Sequence, residues 1–229
     1  MKGDNPLDTK QAKRLRKGKD LVTNLIDIIA KLTLKNYEQF NDMVKIVMKA
    51  LNEKDPYTQG HSIRVTEYAL KIGEAMGLDK DKMKELELAA VLHDIGKLGI
   101  PDKILKKPGR LTKEEFEIMR QHSDKGEKML EGIKDLEPYK RYVRAHHERY
   151  DGLGYPDGLK GDEIPLVSRI IFVADTFDAM TSDRPYRKGL PLEVTIDELI
   201  RCAGTQFDPY IVETFVRVIK EQYLEEEAV

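Results

Sequence analysis

Five histidines recur along the chain at intervals of about one helix plus its connection, and two of them begin doublets. His93 is followed by Asp94, and His146 is followed by His147. Imidazole and carboxylate ligands without thiolate favour iron, manganese, zinc, nickel or cobalt over calcium. Any one of these histidines alone is better explained as a packed core or surface residue. Together they predict a metal site, and the set is His61, His93, His122, His146 and His147.

Three charged residues add to the chemistry of this site. Asp94 has two oxygens, so it can bridge a metal held by His93 to a second metal. Asp175 ends the mostly apolar run 169–175, where a buried carboxylate needs a metal or another partner to offset its desolvation. Lys97 lies three residues after Asp94, on one face of a continuous helix, from which its ammonium reaches a bound phosphate. Two metals about 3.5–4 Å apart can hold a bridging hydroxide and clamp a phosphoryl group for in-line attack.

Helices must position these side chains, because apolar residues recur at helical spacing and strand signals are almost absent. Thr112 to Glu115 fits a capping box, and Asp208 followed by Pro209 fits the start of the last helix. Connections at 98–110 and 151–165 exceed the usual length and are therefore candidates for function. Besides the helix after Thr112, we predict helices at about 62–76, 81–97, 138–150, 166–180, 191–203 and 209–224.

Composition limits the class of protein. The 229 residues are 40% hydrophobic and 35% charged, which is typical of a globular domain with a densely charged surface. A net charge of −2 provides no general attraction to DNA or to a membrane, and no stretch is apolar enough for a membrane span. One cysteine cannot form an internal disulfide, and no signal peptide is recognisable, so we expect a cytoplasmic protein.

The N-terminal part of the chain differs from the rest. Residues 1–20 are polar and rich in Lys and Arg, and two amphipathic stretches follow before the break at Asp55 and Pro56. We therefore expect an N-terminal helical extension or linker at 1–54 and the main domain at 55–229. The helices of the extension are candidates for a homodimer contact.

Two stretches around the doublets resemble the signatures of the HD-GYP family. They read HDIGK at 93–97 and HHERYDGLGYP at 146–156. The resemblance covers about residues 40–224, and the other similar segments are 55–58, 174–182, 184–187 and 204–209. HD-GYP proteins are bacterial, all-α members of the HD metal-dependent phosphohydrolases, and they usually hydrolyse the signalling molecule cyclic di-GMP to pGpG and on to GMP. The resemblance thus implies an all-α HD-domain helical bundle with this activity in signal transduction.

The resemblance also implies a set of metal ligands, with Asp94 as the bridge between two divalent ions. One ion would be held by His61, His93, Asp94 and Asp175, and the other by Asp94, His122, His146 and His147. Iron and manganese are the first candidates. Some members of the family bind a third metal through a Glu four residues before the first histidine. Tyr57 stands at that position here, so we expect two metals.

Substrate contacts follow from the same resemblance. Lys97 is expected to neutralise charge on the scissile phosphate and to help protonate the leaving oxygen, so Asp94 and Lys97 are the candidate catalytic residues. Arg184 and Arg187 correspond to residues that bind the phosphates of the substrate, for which the guanidinium fork is suited. The alternative for either arginine is an ion pair with Asp178 or Asp183.

The glycine-rich loop after the second doublet is expected to shape the site and consists of Asp151, Gly152, Gly154, Tyr155 and Pro156 among others. In the family this loop is linked to contacts with diguanylate cyclase domains. A packed structural role is the alternative for Tyr155. Glu148 and Asp151, beside the double histidine, are candidates to orient the imidazoles.

Two other functions stay open. The first is an HD-type phosphohydrolase that acts on another nucleotide or phosphate ester, and the complete GYP segment argues against it. The second is a non-catalytic module that binds cyclic di-GMP or a partner protein, and the intact ligand set argues against that. A panel of substrates discriminates between them.

Overall fold

The structure is a computed structural model. The part of the chain that it describes consists of α-helices, short 3₁₀ turns and the loops that connect them. The structure describes residues 60–183 and 188–227 and individual positions between 42 and 54. By contacts the chain divides into two compact units, Met1–Val47 and Met48–Val229. Most of the predicted N-terminal extension, together with Tyr57, Arg184 and Arg187, lies outside the described residues.

The described ranges contain a succession of α-helices. They are α1 (His61–Ala75), α2 (Lys80–Leu92), α3 (Asp102–Leu105), α4 (Lys113–Leu130), α5 (Lys140–Ala145), α6 (Leu166–Thr181), α7 (Leu192–Arg201) and α8 (Pro209–Glu227). Within the same ranges, 3₁₀ turns lie at Ile95–Gly99, Glu137–Tyr139 and Gly161–Glu163. The predicted all-α fold is confirmed, since the described residues contain no β-strand. Within these residues, no helix combines the length and apolar character of a membrane span.

Two predicted helix starts are confirmed in atomic detail. The Thr112 hydroxyl accepts a hydrogen bond from the Glu115 amide, and the Glu115 carboxylate accepts one from the Thr112 amide. Asp208 accepts a hydrogen bond from the amide of Tyr210 in the first turn of α8. These contacts satisfy amides that the helix itself leaves without partners.

Two predicted helices are shorter than expected, and both end at a doublet. The helix predicted at 81–97 ends at Leu92, because the backbone at Asp94 turns out of the helix (φ −98°, ψ 6°) and continues as a 3₁₀ turn. The helix predicted at 138–150 is a 3₁₀ turn followed by α5, which ends at Ala145. The long connection predicted at 98–110 contains the short helix α3. Both doublets therefore lie at helix ends, where adjacent side chains can point into one site.

The hydrophobic core contains side chains of α1, α2, α6, α7 and α8. Helix α1 packs against α2, α6 and α8, and α4 packs against α5 and the 3₁₀ turn at 95–99. Burial of this apolar surface is the main favourable term in folding. Core side chains include Val65, Ala69, Ile72, Leu86, Ala89, Ile170, Ile171, Val173, Leu199, Ile211 and Phe215.

Gly96 allows the 3₁₀ turn after Asp94 to approach α4 closely. A Cβ atom on Gly96 would lie 1.8 Å from the carbonyl oxygen of His122 and 2.5 Å from the amide nitrogen of Gly126. Both atoms belong to the main chain of α4, so neither can move without displacing the helix. The close packing sets the distance between Asp94 and His122.

We expect Gly96→Ala to force the turn and α4 apart and to destabilise the protein. Overpacking of this kind costs about 1–3 kcal/mol, and each kcal/mol lowers Tm by about 2–4 °C at this chain length. Thermal unfolding of purified variants measures the effect. Gly99→Ala in the same turn is the control, because its Cβ would meet only the flexible side chains of Lys125 and Met129. A Gly96→Ala variant that melts with the wild type would contradict this account.

Candidate metal centre

Two groups of potential ligands face each other inside the helical domain. The His61 group consists of His61, His93 and Asp94, and the His122 group of His122, His146 and His147. Within each group the ligand atoms lie within 4.8 Å of one another. The first group comes from the start of α1 and the end of α2, the second from α4 and the residues just after α5. All five histidines of the sequence thus converge on one region.

Asp94, a member of the His61 group, also faces the His122 group and is 3% exposed. Its Oδ2 atom is 3.3 Å from His93 Nε2 and 3.7 Å from His61 Nε2. Its Oδ1 atom is 3.6 Å from His122 Nε2. One carboxylate therefore presents one oxygen to each group, which is the arrangement of a bridging ligand.

Asp175 and Lys97 complete the surroundings of Asp94. Asp175, on α6, places Oδ1 3.2 Å from His61 Nε2 on the side of the His61 group. The Lys97 ammonium is 2.6 Å from Asp94 Oδ2. Lys97 lies in the 3₁₀ turn, so the prediction that it shares one face of a continuous α-helix with Asp94 is wrong. The spacing of three residues still brings its ammonium to the Asp94 carboxylate.

Hydrogen bonds fix the orientation of the imidazoles. His93, His122 and His146 each donate Nδ1–H to the carbonyl oxygen three residues earlier, over 2.6–2.8 Å. With the proton on Nδ1, each Nε2 carries a lone pair that points into the centre. His93 Nε2 is buried and finds no hydrogen-bond partner among the described residues. A buried lone pair without a partner fits a metal ligand.

Burial keeps the histidines of the His122 group neutral. It lowers the pKa of His122 and holds the pKa of His146 well below its usual range. Burial, together with the nearby His122, lowers the pKa of His147 to about 3. Neutral imidazole is the form that binds a metal ion.

The two central carboxylates stay ionised in spite of their burial. Burial alone would raise the pKa of Asp94, but the charge of Lys97 holds it well below its usual range. Burial would likewise raise the pKa of Asp175, and the hydrogen bond and charge of His61 lower it. Anionic oxygens beside the neutral imidazoles of the His122 group form a donor set that fits divalent transition metals.

Glu148 has a different role from the one expected. Its buried carboxylate accepts hydrogen bonds from the amides of Asp157 (2.6 Å), Gly158 (3.1 Å) and Leu159 (3.1 Å). It therefore anchors the glycine-rich loop, and the prediction that it orients an imidazole is wrong. The same correction applies to Asp151, whose carboxylate pairs with Arg149 at 2.6 Å.

The glycine-rich loop forms a wall beside the His122 group. The Tyr155 ring lies against the His147 ring, with centroids 4.9 Å apart, and the Arg120 guanidinium covers Tyr155 at 4.6 Å. Gly154 makes this path possible, because a Cβ there would lie 2.2 Å from the Arg149 amide nitrogen. Tyr155 is thus a packed residue at the edge of the centre. The other members of the predicted loop set, Gly152 and Pro156, lie in the same segment.

Asp178 lies at the centre, whereas the sequence analysis named it only as an alternative ion-pair partner of Arg184 or Arg187. Its Oδ2 atom accepts a hydrogen bond from His61 Nδ1 at 2.7 Å. The signal for it was present, since Asp178 lies three residues after Asp175 and shares a helix face with it. Arg184 and Arg187, the expected phosphate ligands, lie outside the described residues.

Comparisons with known proteins match this chain to one family model and to proteins named as cyclic dinucleotide phosphodiesterases. The family model described as "HD domain" matches residues 45–211. A Thermotoga maritima protein named cyclic di-GMP phosphodiesterase is 43% identical over 200 residues, which are 86% of this chain and 54% of the relative. A Vibrio cholerae protein named 3′3′-cGAMP-specific phosphodiesterase 3 is 40% identical over 161 residues, which are 70% of this chain and 35% of the relative.

A solved structure shows a similar fold. The crystal structure of a cyclic GMP-AMP-specific phosphodiesterase of V. cholerae matches with a TM-score of 0.60 at 20% identity. The match covers 78% of this chain and 48% of the other. This chain therefore spans about half or less of the length of these relatives.

We expect Asp94→Ala to abolish normal metal stoichiometry, because it removes the oxygens that face both groups. Titration with manganese(II), followed by the electron paramagnetic resonance signal of the free ion, counts the bound metals. Asp102→Ala, which removes an exposed carboxylate paired with Lys106, is the control and should bind as the wild type does. An Asp94→Ala variant that still binds two metals would refute the bridging assignment.

Metal removal is expected to lower the thermal stability. A metal that binds only the folded state stabilises it by about 2.7 kcal/mol when free metal is 100 times Kd, which is about 5–10 °C of Tm. Thermal unfolding with manganese(II) and with excess chelator measures the difference. Equal Tm values in both conditions would argue against a metal centre here.

Proposed function

Because this chain belongs to the HD domain family and carries the HD-GYP signatures, we propose that it is a metal-dependent phosphodiesterase that hydrolyses cyclic di-GMP to pGpG. The observation that carries the proposal is the position of Asp94, with one oxygen toward each group of histidines. The T. maritima relative, named for this activity, supports the substrate. Continued hydrolysis to GMP is part of the same proposal.

We propose two divalent metals, with iron and manganese as first candidates. Asp94 would bridge the two, and the orphaned Nε2 atom of His93 supports a ligand role for that residue. The proposed ligands of the first metal are His61, His93, Asp94 and Asp175, and those of the second are Asp94, His122, His146 and His147.

When bound, such metals lower the pKa of water and neutralise charge on phosphoryl oxygens. Asp94 holds the two halves of the centre in register through its separate oxygens. Lys97 brings a positive charge within a hydrogen bond of Asp94, where it can neutralise charge on the scissile phosphate and protonate the leaving 3′ oxygen. Tyr155 covers His147 and shields that side of the centre from water. Arg184 and Arg187 are proposed to bind the phosphates.

The remaining proposals concern organisation and partners. We propose that 1–54 form a helical extension that joins two copies of the chain and that 55–229 form the catalytic domain. The glycine-rich loop is the proposed contact for a diguanylate cyclase domain. Leu153 in this loop is 78% exposed, which supports a contact surface.

A second substrate is favoured by one relative. The V. cholerae protein named for 3′3′-cGAMP is nearly as similar to this chain as the T. maritima protein. Cleavage of 3′3′-cGAMP uses the same phosphodiester chemistry and differs in one nucleobase, so the metal centre suits both substrates. Recognition of the bases decides between them.

The test is hydrolysis by protein that is purified without oxygen and reconstituted separately with iron and manganese. Cyclic di-GMP, 3′3′-cGAMP and bis(4-nitrophenyl) phosphate are supplied in parallel, and products are resolved by chromatography over time. We expect metal-dependent formation of pGpG. Faster turnover of 3′3′-cGAMP would favour the second substrate, and no turnover of any substrate with two bound metals would favour a binding module.

We expect Lys97→Met to retain both metals and to lower turnover by about 10²–10³-fold, the typical cost of losing one group that stabilises transition-state charge. Steady-state kinetics and metal content are measured on the same preparation. Lys106→Met, at an exposed lysine that pairs with Asp102, is the control. Unchanged kinetics in Lys97→Met would remove its proposed role.

A further inference from the structure

His61 is oriented by a charged partner. Its Nδ1–H donates to Asp178 Oδ2 at 2.7 Å, and Asp178 is only 1% exposed. His93, His122 and His146 instead donate Nδ1–H to uncharged main-chain carbonyl oxygens. A carboxylate acceptor withdraws the proton more strongly than a carbonyl and so makes Nε2 a stronger electron donor. The His61 group therefore contains one histidine with a carboxylate acceptor, whereas His122 and His146 of the other group have carbonyl acceptors.

Arg64 holds the Asp178 carboxylate in place. Its guanidinium donates from Nε to Oδ1 and from Nη2 to Oδ2, the second over 3.0 Å. Ser182 donates to Oδ1 at 3.3 Å and accepts a hydrogen bond from Arg64 Nη2 at 3.1 Å. Both oxygens are thus engaged from two sides, and the paired guanidinium offsets the cost of burying the charge. The carboxylate cannot rotate away from His61 without breaking this pair.

The chain Arg64–Asp178–His61 crosses the fold. Arg64 and His61 lie on the first turn of α1, and Asp178 lies on α6, one turn after Asp175. Asp175 Oδ1 is 3.2 Å from the other nitrogen of the same imidazole. Two carboxylates of one helix therefore lie beside opposite nitrogens of His61, with Asp178 at Nδ1 and Asp175, a proposed ligand of the same metal, at Nε2.

We propose that Arg64 and Asp178 are positioning residues that make the metal position at the His61 group the tighter of the two. The inference rests on the proposed two-metal centre and adds an order of metal binding. The position at the His61 group would be occupied at a lower metal concentration than the position at the His122 group. Asp178 acts through His61 and touches no substrate. Its effect is confined to one metal position, because its contacts here are with His61, Arg64 and Ser182.

The test is a manganese(II) titration without substrate, in which free ion is followed by electron paramagnetic resonance. We expect two affinities in the wild type and, in Asp178→Asn, a fall of about 10–100-fold in the tighter one alone. Arg64→Gln should weaken the same position. The binding isotherm of Asp178→Asn should resemble that of His61→Ala, which removes a proposed ligand of the same position. It should not resemble that of His147→Ala, which removes a proposed ligand of the other position.

The matched control is Asp208→Asn, because Asp208 is a second buried carboxylate in an ion pair, with Arg169 at 2.6 Å. It should lower Tm and leave both affinities unchanged. Equal losses at both positions, or no loss at either in both Asp178→Asn and Arg64→Gln, would overturn the inference. A wild type that binds fewer than two metals would overturn the two-metal proposal and the inference with it.

Discussion

The ionised carboxylate of Asp94 is buried between two groups of imidazoles, and the structure around it is organised to tolerate that charge. Removing a carboxylate from water costs several kcal/mol even after relaxation, unless charges and hydrogen bonds compensate. Here Lys97 contributes a direct ion pair, and His93 and His122 lie within 4 Å. A divalent ion on each side would supply the remaining compensation. The stability of the domain and the chemistry of the centre therefore depend on the same group.

Helix ends are the local devices that build this environment. Adjacent residues inside a helix point about 100° apart, so both members of a doublet rarely reach one site. Here α2 ends just before His93 and α5 just before His146, and the irregular backbone that follows turns both members of each doublet inward. Gly96 then lets the first of these segments press against α4 beside His122. As a consequence, this contact leaves no room for a side chain at position 96.

Much of this arrangement was predictable from residue types, and the exceptions have physical causes. Capping signals are local, so the starts of α4 and α8 were found from Thr112 and Asp208. The break after Leu92 was missed because Ile95 continues the apolar period, while the packing of Gly96 on α4 is a tertiary contact that no local pattern reveals. Glu148 was assigned to the wrong partner because neighbours in sequence need not face the same way, and its carboxylate turns to the loop amides.

The central claim is that one buried carboxylate serves two metal positions, and anomalous X-ray scattering from crystals loaded with manganese tests it most directly. The account predicts two peaks about 3.5–4 Å apart, one on each side of Asp94, with the stronger occupancy at the His61 group when metal is limiting. A single peak at saturating manganese, or two peaks of which one lies away from Asp94, would contradict it.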